Sequence, residues 1–99
     1  SDSWTGELSK ITGLRLAVAT GVLVRGSASS IDLLLVGTMP ASRVASAMKK
    51  IEKAEGRDLN YAVLSYDDFY YRMSVRDKFI TEILSGKYSV LVDTESILQ

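Results

Sequence analysis

Apolar positions along the chain fall into blocks whose period changes, and the changes separate strands from helices. Leu14 to Val24 reads Leu-Arg-Leu-Ala-Val-Ala-Thr-Gly-Val-Leu-Val, a predicted strand with Gly21 inside it. A glycine at such a place marks a bulge or a close backbone approach. Arg25-Gly26-Ser27-Ala28-Ser29-Ser30 is turn material. Ile31 to Val36 is continuous apolar except for Asp32, the pattern of a central strand buried on both faces. Gly37-Thr38-Met39-Pro40 then opens a helix, with Pro40 suited to the first turn, where its missing N–H costs nothing. Val44, Met48 and Ile51 fall at i, i+4 and i+7, one apolar stripe. Lys49, Lys50 and Lys53 lie off it, a solvated face near the end of the helix that favours cations. Gly56 is a stop in the left-handed conformation.

Leu59 to Leu64 is a third predicted strand. Ser65 caps a helix that carries Asp67 and Asp68 in its first turn, the end that favours negative charge. Phe69 and Met73 are four apart; Phe79, Ile80, Ile83 and Leu84 continue the helical period after a break near Ser74, and Gly86 ends it. Tyr88 to Val92 is a last short strand and Thr94 to Gln99 a tail. The order β-β-α-β-α-α-β implies an antiparallel first pair and a right-handed parallel crossover between strands two and three. The expected class is α/β (mixed α+β): one mixed sheet with helices mainly on one face. Residues 14–99 form the domain. Residues 1–13 read as a linker or a short N-terminal helix, with Trp4, Leu8 and Ile11 spaced by four and then three. Trp4 is open to two readings, docking to a neighbouring domain or a flexible end.

Composition narrows the chemistry. The 99 residues include no cysteine and no histidine. That excludes imidazole acid–base work, Ser-His-Asp triads, thiolate nucleophiles, zinc sites and disulfide frameworks. A metal here needs oxygen ligands alone, which points to a hard ion such as magnesium. Twelve basic and twelve acidic residues cancel. Autonomous nucleic-acid binding, which shows a basic excess, is therefore not expected, and little net repulsion opposes self-association. No apolar run approaches the length of a membrane span, and the first residues lack the pattern of a signal peptide, so a cytoplasmic protein or a domain cut from one is expected.

The remaining pieces form an ordered set: Thr20-Gly21-Val22, Arg25-Gly26, Ser29-Ser30-Ile31-Asp32 leading into Leu33 to Gly37, Glu52 through Gly56-Arg57, Leu59-Asn60-Tyr61, Ser65-Tyr66-Asp67-Asp68-Phe69, and Lys78-Phe79-Ile80 with Ile83-Leu84. The set resembles the minimal nucleotidyltransferase fold of the DNA polymerase beta type, in the version appended to prokaryotic winged-helix regulators and found in related stand-alone proteins. The resemblance covers roughly residues 14–92. It implies a Gly-Ser turn that holds phosphate, two magnesium-binding aspartates in a Ser-Asp-x-Asp motif, and a third carboxylate on the strand beyond the crossover helix. Against that pattern, Gly21 is the motif glycine and Val22 replaces its serine. Ser30 stands at the first aspartate, Asp32 survives, and Asn60 takes the place of the third carboxylate. The alternative register through Gly26-Ser27 leaves too short a link to Asp32.

Two-metal nucleotidyl transfer needs a carboxylate cluster. One carboxylate beside a hydroxyl and an amide does not hold two ions that dehydrate reluctantly. No catalytic residue and no cofactor are therefore expected, and Gly21, Arg25, Gly26, Ser30, Asp32 and Asn60 are relic nucleotide-binding or metal-site positions. The expected function is a catalytically silent regulatory or assembly module, working as a homo-oligomer or with a fused or partner regulatory domain. The alternatives are a nucleotide or small-ligand sensor using the relic cleft, and an active magnesium enzyme whose site is rearranged, with Asp67, Asp68 or Asp93 or a partner's carboxylate recruited beside Asp32. Asp32 has a plainer reading too, closing the turn by accepting from backbone N–H groups. The Ser27 to Ser30 run reads as a solvated hairpin turn or as a phosphate-binding loop. Tyr61, Tyr66, Phe69, Tyr70 and Tyr71 could stack a nucleobase or form a partner surface; core packing accounts for Phe69 and Tyr61, and Tyr66, Tyr70 and Tyr71 are otherwise surface filler or a partner surface.

Overall fold

The apolar runs of the first two strands require cover on both faces, and the chain supplies it. The computed structural model describes residues 2–98. In order come α1 (Asp2–Ser9), β1 (Leu14–Ala19), β2 (Leu33–Gly37), α2 (Ala41–Glu55), β3 (Tyr61–Leu64), α3 (Tyr66–Ser74), α4 (Lys78–Ser85) and β4 (Ser89–Asp93). The strands form one mixed sheet in the order β3-β2-β1-β4. β1 is antiparallel to β2 and to β4, and β3 is parallel to β2. The fold is mixed α/β with the expected element order. Among the described residues no helix is long and apolar enough to cross a membrane.

The helices do not lie mainly on one face. Trp4 and Leu8 of α1 and Val44, Met48 and Ile51 of α2 pack with Leu33 and Leu35 on one side of the sheet. Phe69 of α3 and Ile80 and Ile83 of α4 pack with Leu34 and Val36 on the other. Side chains alternate across a strand, so β2, apolar at successive positions, presents half of them to each side. In β1 the register shifts between Leu14 and Leu16, which sends these two leucines to opposite cores although they are two apart. A bulge of this kind adds one residue, here Arg15, to the strand.

Residues 2–9 are helical. Trp4 neither dangles nor waits for another domain: it is buried, and its Nε1–H donates to Glu55 Oε2 of α2 at 2.6 Å. Beyond α2, Gly56 takes φ 75° as the left-handed cap, and Glu52 accepts the Leu59 N–H at 2.8 Å. Pro40 stands at the N-cap, one place before the first turn. Ser65 caps α3 by accepting the Asp68 N–H at 3.1 Å. Ser65→Ala should lower stability by about 1 kcal/mol, read as a shift in the urea midpoint at constant slope.

Between α3 and α4, Arg72 holds the break. Its Nε donates to both oxygens of Asp68 and its Nη1 to Asp77, each at 3.2 Å. Asp77 also caps α4, accepting from the Phe79 and Ile80 N–H groups. These bonds, to Asp68 first and then Asp77, push the Arg72 guanidinium above its ordinary value. The C-terminal segment is more than a tail: Ile97 and Leu98 pack on the α3/α4 core, and their N–H groups donate to the Asp93 carboxylate at 2.8 Å.

Candidate functional site

The residues singled out around Gly21 lie where neighbouring ends of β1, β2 and β3 meet. β1 does not run to Val24. It stops at Ala19, and Gly21–Leu23 makes one 3-10 turn. The turn is imposed by proximity. Gly21 sits at φ 55°, and a Cβ there would lie 2.2 Å from Asp32 Oδ1 and 2.3 Å from the Ile31 carbonyl oxygen. The close backbone approach expected of this glycine is therefore present, as the end of a strand rather than an interruption within one.

Asp32 is buried, and both of its oxygens are engaged by backbone. Oδ1 accepts the Val22 N–H at 2.9 Å and Oδ2 accepts the Asn60 N–H at 2.8 Å. Its own N–H donates to the Asn60 carbonyl at 2.7 Å, and its carbonyl accepts from Thr20 at 2.9 Å. One carboxylate thus ties the turn after β1 to the start of β3, the turn-closing role.

Ser27, at the head of the Ser27 to Ser30 run, is the second organiser. Its Oγ accepts the Gly21 N–H at 2.8 Å and the Ser29 N–H at 3.2 Å, and lies 3.0 Å from Oγ1 of the fully buried Thr20. Ser29 Oγ in turn accepts the Ile31 N–H at 3.3 Å. The Ser-x-Ser spacing is the sequence signal for such self-bonded turns. The N–H groups of Gly21, Val22, Ser29 and Ile31 are consequently occupied by side-chain oxygens of Ser27, Asp32 and Ser29.

Ser30 and Asn60 do come together with Asp32, and the Asn60 amide makes a long 3.5 Å contact to the Ser30 carbonyl. Arg25, Gly26 and Ser30 are exposed. This donor set does not fit magnesium. It carries a single carboxylate, already bonded to two N–H groups, beside a neutral hydroxyl and a neutral amide. Among the described residues no group of three or more Asp, Glu, His or Cys side chains is arranged to hold a metal.

Asp67, Asp68 and Asp93, the candidates for recruitment, are at the wrong end of the sheet. Ala19, Leu33 and Tyr61 are side by side at the Asp32 end, whereas Asp93 pairs with Leu16 and α3 starts after Leu64, which pairs with Val36. Four strand steps of about 3.3 Å, from Asp32 to Val36, therefore separate Asp32 from the level at which Asp67, Asp68 and Asp93 begin. Recruitment of these groups within one chain is ruled out by topology.

That far end carries its own cluster. Tyr66 and Tyr70, one turn apart on α3, stack with centroids 5.6 Å apart. The guanidinium of Arg15, the bulge residue, lies 3.8 Å from the Tyr66 ring centre and its Nε donates to Glu95. That bond holds the Glu95 carboxyl below its ordinary value and the Arg15 guanidinium above its own. Tyr66 is half-buried, and Tyr70 and Tyr71 are exposed. Tyr61, expected in the core, is 41 % exposed because β3 is an edge strand with no further strand beside it among the described residues. Arg15 and Glu95 carried no sequence signal; they are 80 positions apart and meet only through the β1–β4 pairing. No protein-family model, curated protein or solved structure matches the chain.

Proposed function

We propose that the chain is a catalytically silent, nucleotidyltransferase-like module of the cytoplasm that acts in regulation or assembly through contact with a second copy of itself. The observation that carries the silent half is the state of Asp32. The one carboxylate surviving at the motif positions has both oxygens committed to backbone N–H groups, and its neighbours Ser30 and Asn60 bring no charge. Incubation with magnesium or manganese, labelled nucleoside triphosphates and protein or RNA acceptors should give no label transfer. Metal-dependent transfer abolished by a chelator overturns the reading.

The assembly half rests on β3. Its sequence, Tyr61-Ala62-Val63-Leu64, has no charge and no proline to blunt the edge, and Tyr61 and Val63, 41 % and 45 % exposed, share one face. An unblunted edge strand is a template for another strand, and two copies pair about a two-fold axis. Sedimentation should show reversible dimerisation, with Val63→Lys weakening it at least about tenfold at an exposed site that folding tolerates. A chain that stays monomeric at every concentration removes this half and leaves the first intact.

A further inference from the structure

A cavity of about 530 Å³ lies between α3 and the segment after β4, lined by Tyr66, Tyr70, Met73 and Ser74 on one side and Glu95, Ser96 and Ile97 on the other. This volume falls within the range of small-molecule sites. Tyr66, Tyr70, Met73 and Ser74 are one face of α3 at i, i+4, i+7 and i+8. The opposite wall is Glu95-Ser96-Ile97, with Ser96 held at φ 53°, a strained value for a residue with a side chain. The cavity is at the end of the sheet away from Asp32 and is independent of the relic turn.

Its chemistry favours a cation. The lining includes one carboxylate, Glu95, and no lysine or arginine. Just outside it, the Arg15 guanidinium is under the influence of Glu95 and Asp67, and Asp93 adds a further negative charge beside Glu95. Asp93 is itself bonded to the Ile97 and Leu98 N–H groups. Arg15 is thus bonded to Glu95 and attracted by Asp67, while Asp93 acts on Glu95.

The protein already displays the mode of recognition within itself. Arg15 lays a planar cation on the Tyr66 ring and hydrogen-bonds Glu95. Tyr70, stacked on Tyr66 and 60 % exposed, repeats that surface with its ring open, and only one Glu95 oxygen is used by Arg15. A flat cation on an aromatic face with a carboxylate at its edge gains both the ring's quadrupole and a charge-assisted hydrogen bond. We propose that this cavity binds a small molecule with a planar cationic head of the guanidinium or amidinium type, stacked on Tyr70 and hydrogen-bonded to Glu95.

Benzamidine and benzamide separate charge from shape, since the two are nearly isosteric and only the first is a cation. Calorimetric titration of the whole chain should show saturable benzamidine binding, at least about tenfold tighter than benzamide and weakened by salt. Tyr70→Ala, at an exposed position, and Glu95→Gln, which keeps the shape, should each weaken benzamidine about tenfold, with circular dichroism unchanged. Equal binding of the two probes, equal binding of neutral adenosine, indifference to both substitutions, or no saturation below about 10 mM overturns the proposal.

Discussion

Gly21→Ala is expected to lower the unfolding free energy by about 3 kcal/mol, the sum of the left-handed backbone cost for a residue with a Cβ and the displacement of packed atoms. The new methyl has no room on either side. One neighbour is the Ile31 carbonyl oxygen at 2.3 Å, which belongs to the backbone leading into β2; the other is Asp32 Oδ1 at 2.2 Å. Moving Oδ1 aside breaks its bond from the Val22 N–H. The substitution therefore acts through the carboxylate as well as through the backbone. Urea unfolding followed by circular dichroism measures it, and a change below about 1 kcal/mol would mean that the turn relaxes freely and is not the rigid junction described.

Asp32→Ala is expected to lower stability by about 3 kcal/mol, because two backbone donors lose a charged acceptor at a site that water reaches poorly. The donors belong to Val22 and Asn60, so the loss loosens the junction of β1 and β3 with β2 at once. Asp32→Asn should recover little, since a carboxamide presents an NH2 to one of the two N–H groups that a carboxylate satisfies together. A loss of this size is what a carboxylate that staples two strands gives on removal; a change below about 1 kcal/mol would mean that the two N–H groups find other partners without it. The two substitutions share Asp32 Oδ1, so the double variant should fall short of the sum, and the shortfall measures their coupling. A single domain has roughly 5–15 kcal/mol in hand, so either change alone removes a large part.

Much of the fold was legible because it is written in short-range rules. The i, i+4, i+7 stripe of Val44, Met48 and Ile51 faces the core as expected. Gly56 and Ser65 cap the helices that they were expected to cap. The run from Leu33 to Val36 is buried throughout. Each of these depends on neighbours within one or two turns. Legibility failed where a residue's state depends on a distant segment. The period of β1 continues through Gly21 on paper, yet the strand ends earlier because Asp32, ten positions on, takes the Val22 N–H. Tyr61 has the side chain of a core residue but belongs to an edge strand, and edge position follows from sheet order.

The candidate positions divide in the same way. The spacing that draws attention to Gly21, Ser30, Asp32 and Asn60 also brings them together in space, since strand ends joined by a turn and a crossover must meet. What Asp32 does there was open between closing a turn and holding a ligand; the turn-closing contacts are made by two N–H partners, one of them 28 positions away. The Arg15–Tyr66–Glu95 cluster has no counterpart in the sequence reading at all. Period, turn chemistry and capping act over a few residues, so the chain alone determines its helices, its strands and the charge-poor character of the Ser30–Asp32–Asn60 set. Burial of each face, the bulge at Arg15, the edge at Tyr61 and the cavity beside Tyr70 depend on which strand lies beside which, and that is decided only when distant segments pack.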